Sequence, residues 1–208
     1  GHHEKSAPEL AAIRRREAAA SGAVIGAQYE VWEFTDGELE PTLEVRRKII
    51  REIRTFAPDL VLTHRTNDYH PDHRAVGQVV QDASFMVTVP RVVPDVPTLK
   101  KDPVVAYMPD LFTKPCPLRA DVVLDVTEQL DTIVSMLACH RSQVFQWLPY
   151  LQGVLDQVPP DEKERFRWLR DWYAQAARPR ADRYRQELIA AYGEERGSRI
   201  ELAEIYEI

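Results

Sequence analysis

The order of apolar and polar positions along the chain predicts strands and helices in alternation. Leu60–Thr63 is a short apolar run of the kind that forms a buried parallel strand, and residues 29–34 alternate as a half-buried strand does. Between these two runs, residues 41–56 carry apolar side chains at helical spacing. Strand, helix, strand and helix in succession are typical of a parallel sheet, so the predicted fold class is α/β.

Local signals add further elements on both sides of this segment. Ser6-Ala7-Pro8-Glu9 resembles a capping box and predicts a helix that runs to about Ser21. Apolar runs predict two more strands, at residues 104–108 and 122–126, and the alternation of residues 199–208 predicts an edge strand. Asp125 and Glu128 are predicted to cap the helix that follows the second of these runs. The proline-rich stretch 90–117 predicts an ordered but irregular loop.

The last third of the chain is predicted to be helical and rich in aromatic residues. Trp168 and Trp172 lie one helical turn apart, which indicates a packing stripe rather than a ligand platform. We therefore expect a single domain, residues 1–208, in which residues 152–192 form a helical elaboration.

The helix predicted at residues 41–56 has two chemically different faces. One face is apolar, and the other is basic: Arg46, Arg47, Lys48, Arg51 and Arg54. Because a charged stripe opposite an apolar one is usually exposed to water, we expect the whole basic face to be solvated surface.

Composition narrows the range of functions. The chain has 208 residues, 44% of them hydrophobic, and a formal net charge of −6, which argues against a nucleic-acid partner. No apolar segment approaches the roughly 20 residues of a membrane span. Cys116 and Cys139 lie far apart, so neither a disulfide framework nor a thiolate metal site is indicated, and a reducing, cytoplasmic location is the expectation.

The candidate chemistry is concentrated in Asn67-Asp68-Tyr69-His70-Pro71-Asp72-His73. Pro71 suits the first position of a helix and Asp72 its first turn, so this helix begins just after the strand at Leu60–Thr63. Open α/β sheets place their sites at the carboxyl ends of strands. His70 and His73 could therefore serve one metal ion or one reacting group. The alternative is a polar turn whose histidines only cap and hydrogen-bond.

The chain resembles the PIG-L (LmbE-like) family of zinc-dependent N-deacetylases. The match is carried by residues 58–64, Pro-Asp-Leu-Val-Leu-Thr-His, and by residues 68–75, Asp-Tyr-His-Pro-Asp-His-Arg-Ala. It continues more weakly in residues 36–39, 140–143 and 203–207. The resemblance implies a Rossmann-like, mostly parallel sheet flanked by helices, and one catalytic Zn²⁺. It also implies removal of an acetyl group from an N-acetylated amino sugar or its conjugate, as in N-acetylglucosaminyl deacetylases.

The resemblance also assigns roles to individual residues. His73 corresponds to a metal ligand, and His70 to the catalytic partner of the developing oxyanion. Arg14 and Asp36 correspond to substrate-binding positions, although a solvated helix face and a turn explain them almost as well. Asp72 is a second catalytic candidate that could fix the tautomer of a histidine, or it could simply begin a helix. The roles of His64 and His140 stay open.

The sequence departs from the family pattern in one respect. It contains no His-Pro-Asp-Asp segment, which supplies two ligands and the general base in the family. We therefore expect the sequence to begin partway through a longer protein, rather than with a purification-tag remnant at Gly1-His2-His3-Glu4, and to hold zinc poorly as written.

Two alternative functions remain open. One is a non-catalytic α/β binding or scaffold domain that lacks a complete metal site, and the other is a different metallohydrolase that uses His64, His70 and His73. The expected partner is a small N-acetylated molecule, without nucleic acid or a membrane span, and a homo-oligomer is among the possible states.

Overall fold

The computed structural model describes all residues from Gly1 to Ile208. The chain divides into two compact units, each made of two stretches of sequence. The first unit comprises Gly1–Glu33 and Leu124–Ala203, and the second unit comprises Phe34–Val123 and Glu204–Ile208. None of the helices is both long enough and apolar enough to cross a lipid bilayer.

The regular elements follow one another in a mixed order. The helices are α1 (Ala7–Val24), α2 (Leu43–Phe56), α3 (Pro71–Met86), α4 (Leu130–Cys139), α5 (Leu148–Leu151), α6 (Glu162–Arg183), α7 (Arg185–Tyr192) and α8 (Glu194–Gly197). The strands are β1 (Leu60–Thr63), β2 (Val104–Tyr107), β3 (Val122–Asp125) and β4 (Ala203–Tyr206). A π-helical turn spans Gln143–Trp147, and 3₁₀ turns span Thr127–Gln129 and Leu155–Gln157.

The strands confirm the predicted α/β class. β1 and β2 pair in parallel, in a register that runs from Leu60 opposite Val104 to Thr63 opposite Tyr107. β3 and β4 form a separate two-stranded sheet. The predicted strands at residues 104–108, 122–126 and 199–208 are thus confirmed, with shorter bounds.

In the second unit, α3 packs against β1, β2 and α2. Thr42 is the N-cap of α2, and its Oγ1 accepts a hydrogen bond from the Val45 N–H. Ala57 is the C-cap and adopts the left-handed conformation. The apolar side chains between these elements form a buried cluster of Ile50, Ile53, Ala83, Val87 and Val93. This cluster anchors α3, the helix that carries the histidine-rich segment.

The expectation that the basic face of α2 is solvated is wrong for Arg54. Its side chain is buried, with only 4% of the residue exposed. The guanidinium donates to six backbone carbonyl oxygens between residues 86 and 96, at 2.6–3.2 Å. A helical pattern shows which face is polar, but not that a neighbouring loop will cover part of it.

The predicted strand at residues 29–34 is also wrong, because the segment belongs to no sheet. Its alternation suggested that one side would be buried, but Tyr29, Val31 and Phe34 are 55%, 38% and 47% exposed. A strand needs a neighbour to pair its backbone groups and to cover its apolar face. Alternation alone therefore overstated the case for a strand.

The first unit is organised around α1, α4 and α6. The predicted capping box starts α1, where the Glu9 carboxylate accepts a hydrogen bond from the Ser6 N–H. α4 packs against both α1 and α6. Trp168 and Trp172 are stacked, with ring centroids 5.8 Å apart, and pack against the buried cluster of this unit. They form a packing stripe, as predicted.

Candidate active site

The histidine-rich segment lies where β1 meets α3, in the second unit. His64 directly follows β1, and His70 is the N-cap of α3. Gly77 allows the helix to approach the chain after the strand closely, because a Cβ at this position would lie 2.5 Å from the His64 carbonyl oxygen. This approach brings the side chains of His64 and His73 together.

His64, Asp68 and His73 form one cluster of potential metal ligands, whose donor atoms all lie within 4.8 Å of one another. The rings of His64 and His73 stack, with centroids 3.8 Å apart. His73 Nδ1 donates to Asp68 Oδ1 at 2.9 Å, and His64 Nδ1 lies 4.0 Å from Asp68 Oδ2. Burial, reinforced by the neighbouring His73, lowers the pKa of His64, so its ring stays in the neutral form that can ligate a metal.

Asp68 is the organising residue of this cluster. Its side chain is 6% exposed, and the same Oδ1 that binds His73 also accepts from the His70 N–H at 2.8 Å. A carboxylate on Nδ1 fixes the tautomer of His73 and leaves the lone pair of Nε2 for a metal. Donor types and arrangement therefore fit a metal ion at His73, with Asp68 as the residue that orients it.

His70 has a different environment from His73. Its Nδ1 accepts a hydrogen bond from the Asp72 backbone N–H at 3.3 Å, so in the neutral ring the proton is on Nε2. His70 Nε2 lies 3.9 Å from Asp36 Oδ1. The ring centroids of His70 and His73 are 4.9 Å apart. The site thus holds one imidazole with a free acceptor nitrogen beside another with a donor nitrogen.

Asp72 contacts a turn that is distant in sequence. Its Oδ2 accepts from the Gly37 N–H at 2.8 Å, and its Oδ1 accepts from the Leu39 N–H at 3.1 Å. By distance alone Asp36, His70 and Asp72 could hold a cation. Because both carboxylate oxygens of Asp72 already accept backbone hydrogen bonds, this group is better described as hydrogen-bonded polar side chains. The catalytic role predicted for Asp72 stays a prediction.

Sequence reasoning missed a buried charge next to His64. Arg65 is 5% exposed and lies between Asp110, whose Oδ2 is 3.4 Å away, and Glu207, whose Oε2 is 3.6 Å away. Its guanidinium also donates to the carbonyl oxygens of Phe112 and Cys116. Arg65 therefore ties the loop after β2 to the end of β1, and only its position directly after His64 hinted at this role.

The other predicted substrate-binding residue, Arg14, lies in the first unit. Its Nε donates to Ser142 Oγ at 3.0 Å, and its Nη1 donates to Gln143 Oε1. The Glu17 carboxylate accepts from both the N–H and the hydroxyl of Ser142. Arg14 is thus held on helix α1 by polar partners, and its role in substrate binding stays a prediction.

Comparisons with known proteins identify relatives with two kinds of chemistry. The family model of PIG-L, described as GlcNAc-PI de-N-acetylase, matches residues 1–84. The curated 4-oxalmesaconate hydratase of Pseudomonas putida is 26% identical over 145 residues, which are 69% of this chain and 56% of that protein. The match therefore spans little more than half of that relative.

Solved structures of similar proteins share the fold. The hydratase GalB of P. putida, which acts on 4-carboxy-2-hydroxymuconate, superposes with a TM-score of 0.71 at 20% identity, over 98% of this chain and 74% of that one. The N,N′-diacetylchitobiose deacetylase of Pyrococcus horikoshii gives 0.67 at 20% identity, over 99% and 66%. The conserved protein TT1542 of Thermus thermophilus gives 0.63 at 17% identity, over 99% and 75%.

Sequence motifs, fold and relatives agree with one another. The matched family residues include the histidine-rich segment, and the superpositions cover nearly the whole chain. The chain is similar to the PIG-L (LmbE-like) family: residues 1–84 match its family model, and the chain as a whole shares the fold of a hydratase and of a deacetylase.

Proposed function

We propose that this chain is part of a zinc-dependent enzyme that removes the acetyl group from an N-acetylated amino sugar or its conjugate. The observation that carries the proposal is the pair His70 and His73, with ring centroids 4.9 Å apart. His73 has its Nδ1 held by Asp68, and His70 has its Nδ1 held by a backbone N–H. Their remaining nitrogens are suited to two different tasks on one substrate.

The residues that would hold the metal are His73, through Nε2, with His64 and Asp68 beside it. Zinc in such sites supplies a nucleophilic water at neutral pH and polarises a carbonyl group. Asp68 keeps His73 in one tautomer and one orientation, which typically matters 10- to 100-fold for metal affinity.

His70 would act on the amide itself. Its Nε2–H can donate to the carbonyl oxygen of the substrate, where negative charge develops during hydrolysis. Asp36, whose side chain is 66% exposed, can accept hydrogen bonds from sugar hydroxyl groups. Carboxylates lie on both sides of His70, since Asp36 and Asp72 are within 4.0 Å of its ring nitrogens. This surrounding favours neutral amide and hydroxyl groups over a substrate rich in carboxylates.

The second candidate is the addition of water to a carbon–carbon double bond. It is favoured by one observation, the 26% identity with 4-oxalmesaconate hydratase over 69% of this chain. A metal ion and a donor imidazole could serve that reaction as well, because it also needs a nucleophilic water and a proton donor.

A comparison of two substrate types tests the proposal. The complete protein, loaded with zinc, is incubated with N,N′-diacetylchitobiose, and released acetate is measured. In parallel, 4-carboxy-2-hydroxymuconate is followed by loss of absorbance. His73→Ala is the control for contaminating activity. Acetate release that His73→Ala abolishes supports the deacetylase. Hydration alone would replace it with the second candidate, and inactivity toward both would favour a non-catalytic binding domain.

A further inference from the structure

We propose that Asp72 is a positioning residue that holds the turn carrying Asp36, and that it thereby fixes where substrate hydroxyl groups bind. This inference rests on the proposed function of the site around His70 and His73. It separates two carboxylates that lie close to the same imidazole: Asp36 touches the substrate, and Asp72 acts through Asp36.

The contacts of Asp72 define a clamp between helix α3 and residues 36–39. Asp72 Oδ2 accepts from Gly37 N–H at 2.8 Å, and Asp72 Oδ1 accepts from Leu39 N–H at 3.1 Å. Two backbone donors that share one ionised carboxylate make strong, directional contacts. Asp72 lies in the first turn of α3, where the helix dipole favours a negative charge. The rigid helix therefore supplies the fixed end of the clamp.

The turn held by this clamp is exposed. Gly37 adopts a φ of +88°, and a Cβ at this position would meet no atom within 4 Å, so the turn is open to solvent. Its internal hydrogen bond joins Glu38 N–H to the Thr35 carbonyl oxygen at 3.1 Å. Asp36 is 66% exposed at the side chain, whereas Asp72 is 19% exposed. The exposed carboxylate can reach a substrate, and the covered one holds it in place.

Proton transfer by Asp72 would conflict with this clamp. Both of its oxygens accept backbone hydrogen bonds, and protonation would remove the negative charge that strengthens both of them. The hydrogen bond between Asp72 and His70 is donated by the Asp72 backbone N–H to Nδ1 at 3.3 Å, whereas the carboxylate oxygen Oδ2 lies 4.0 Å from Nδ1, beyond hydrogen-bond distance. A role in geometry is therefore better supported than a role as acid or base.

A double-mutant cycle between Asp36→Asn and Asp72→Asn tests the inference in the zinc-loaded protein. An asparagine at position 72 keeps one acceptor but presents an amide donor to the second N–H. Asp72→Asn should raise KM for N,N′-diacetylchitobiose about tenfold, the effect of losing one hydrogen bond to a charged group, and should change kcat by less than about threefold. In the Asp36→Asn background, Asp72→Asn should change KM by less than about twofold, because the group it positions is already gone.

An independent measurement keeps the clamp testable without catalysis. Hydrogen exchange at the Gly37 and Leu39 amides should accelerate about tenfold or more in Asp72→Asn and should not change in Asp82→Asn, which removes a carboxylate from the same helix. If no acetate is released, the proposed deacetylase function is wrong. The same double-mutant cycle is then measured with 4-carboxy-2-hydroxymuconate. Additive effects on KM would overturn the inference, as would a hundredfold loss of kcat with a shifted pH–rate profile or unchanged amide exchange.

Discussion

The imidazole rings of His64 and His73 lie face to face, with centroids 3.8 Å apart and planes 6° from parallel. His73 is also hydrogen-bonded to the buried carboxylate of Asp68. The orientation of the metal-ligand candidate is thus set by a ring on one side and a carboxylate at its Nδ1. Tilting either imidazole out of its plane would lose this stacking at the end of β1.

We expect replacement of His70 and replacement of His73 to have different effects on zinc content and on activity. In the complete, zinc-loaded enzyme, His73→Ala should lose metal and activity together. His70→Ala should keep much of its zinc but lose about two to three orders of magnitude in kcat, the usual cost of removing one oxyanion partner. Zinc content and deacetylation rate are measured on the same preparations.

His70 also caps helix α3, so a second variant is needed at this position. His70→Asn keeps a side chain that caps helices well but lacks the donor nitrogen at the position of Nε2. It should be as inactive as His70→Ala and more stable. Loss of zinc in either His70 variant, or normal turnover, would show that the roles of His70 and His73 have been assigned wrongly.

Gly77→Ala should weaken both folding and metal binding. Alanine normally stabilises a helix by about 1 kcal/mol relative to glycine. Here the added Cβ would lie 2.5 Å from the His64 carbonyl oxygen and 3.0 Å from that of Arg65, so α3 must move away from the end of β1. We expect a lower urea midpoint and weaker zinc binding in a chelator competition. A gain in stability with unchanged zinc affinity would contradict the close approach.

Arg54→Met should destabilise the protein by about 3 kcal/mol or more, because six backbone carbonyl groups lose a charged donor. The matched control is Arg51→Met on the same helix. Arg51 pairs with Asp95 on the surface, where the two side chains are 42% and 59% exposed, so its loss should cost far less stability than the loss of Arg54. Urea unfolding of both variants measures the difference, and equal losses would refute the special role of Arg54.

Stability should fall in acid partly through His140. Burial is the largest cause that lowers the pKa of His140 from its usual 6.5; Arg14 lowers it further, and Glu17 opposes the shift. The unfolded chain therefore takes up this proton first, so the contribution to stability is present above pH 6.5 and is lost as pH falls toward the folded pKa. His140→Gln should reduce the loss of unfolding free energy between pH 7.5 and about 5.5. The difference between wild type and variant isolates His140 from His64, whose pKa is also lowered.

Local signals in the sequence predicted several elements because their causes are local. Pro71 begins α3, and Leu60–Thr63 forms β1 within the predicted bounds. The strand prediction for residues 29–34 was wrong because a strand depends on a partner elsewhere in the chain. The prediction that Arg54 is solvated was wrong because its acceptors are backbone carbonyl groups. Every residue carries such a group, so the sequence gives no sign of which ones will bind an arginine.

The candidate site was predictable to a similar extent. The proximity of His70 and His73 followed from their spacing across a helix start. The bond between Asp68 and His73 depends on the shape of the intervening turn, which spacing does not give. The clamp between Asp72 and the Gly37 turn joins positions 35 residues apart through a backbone N–H. It could not be predicted, because a backbone donor leaves no pattern in the sequence of side chains.

The carbonyl groups around Arg54 have a consequence for how the protein can vary. Arg54 contacts the segment between residues 86 and 96 through main-chain carbonyl groups. These contacts depend on the backbone conformation of the segment and not on the identity of its side chains. Exposed side chains there, such as that of Arg91, can be exchanged for many others without loss of this recognition. Insertions and deletions are a different matter, since each would move carbonyl groups out of reach of a fixed guanidinium. The loop should therefore tolerate changes of composition far better than changes of length.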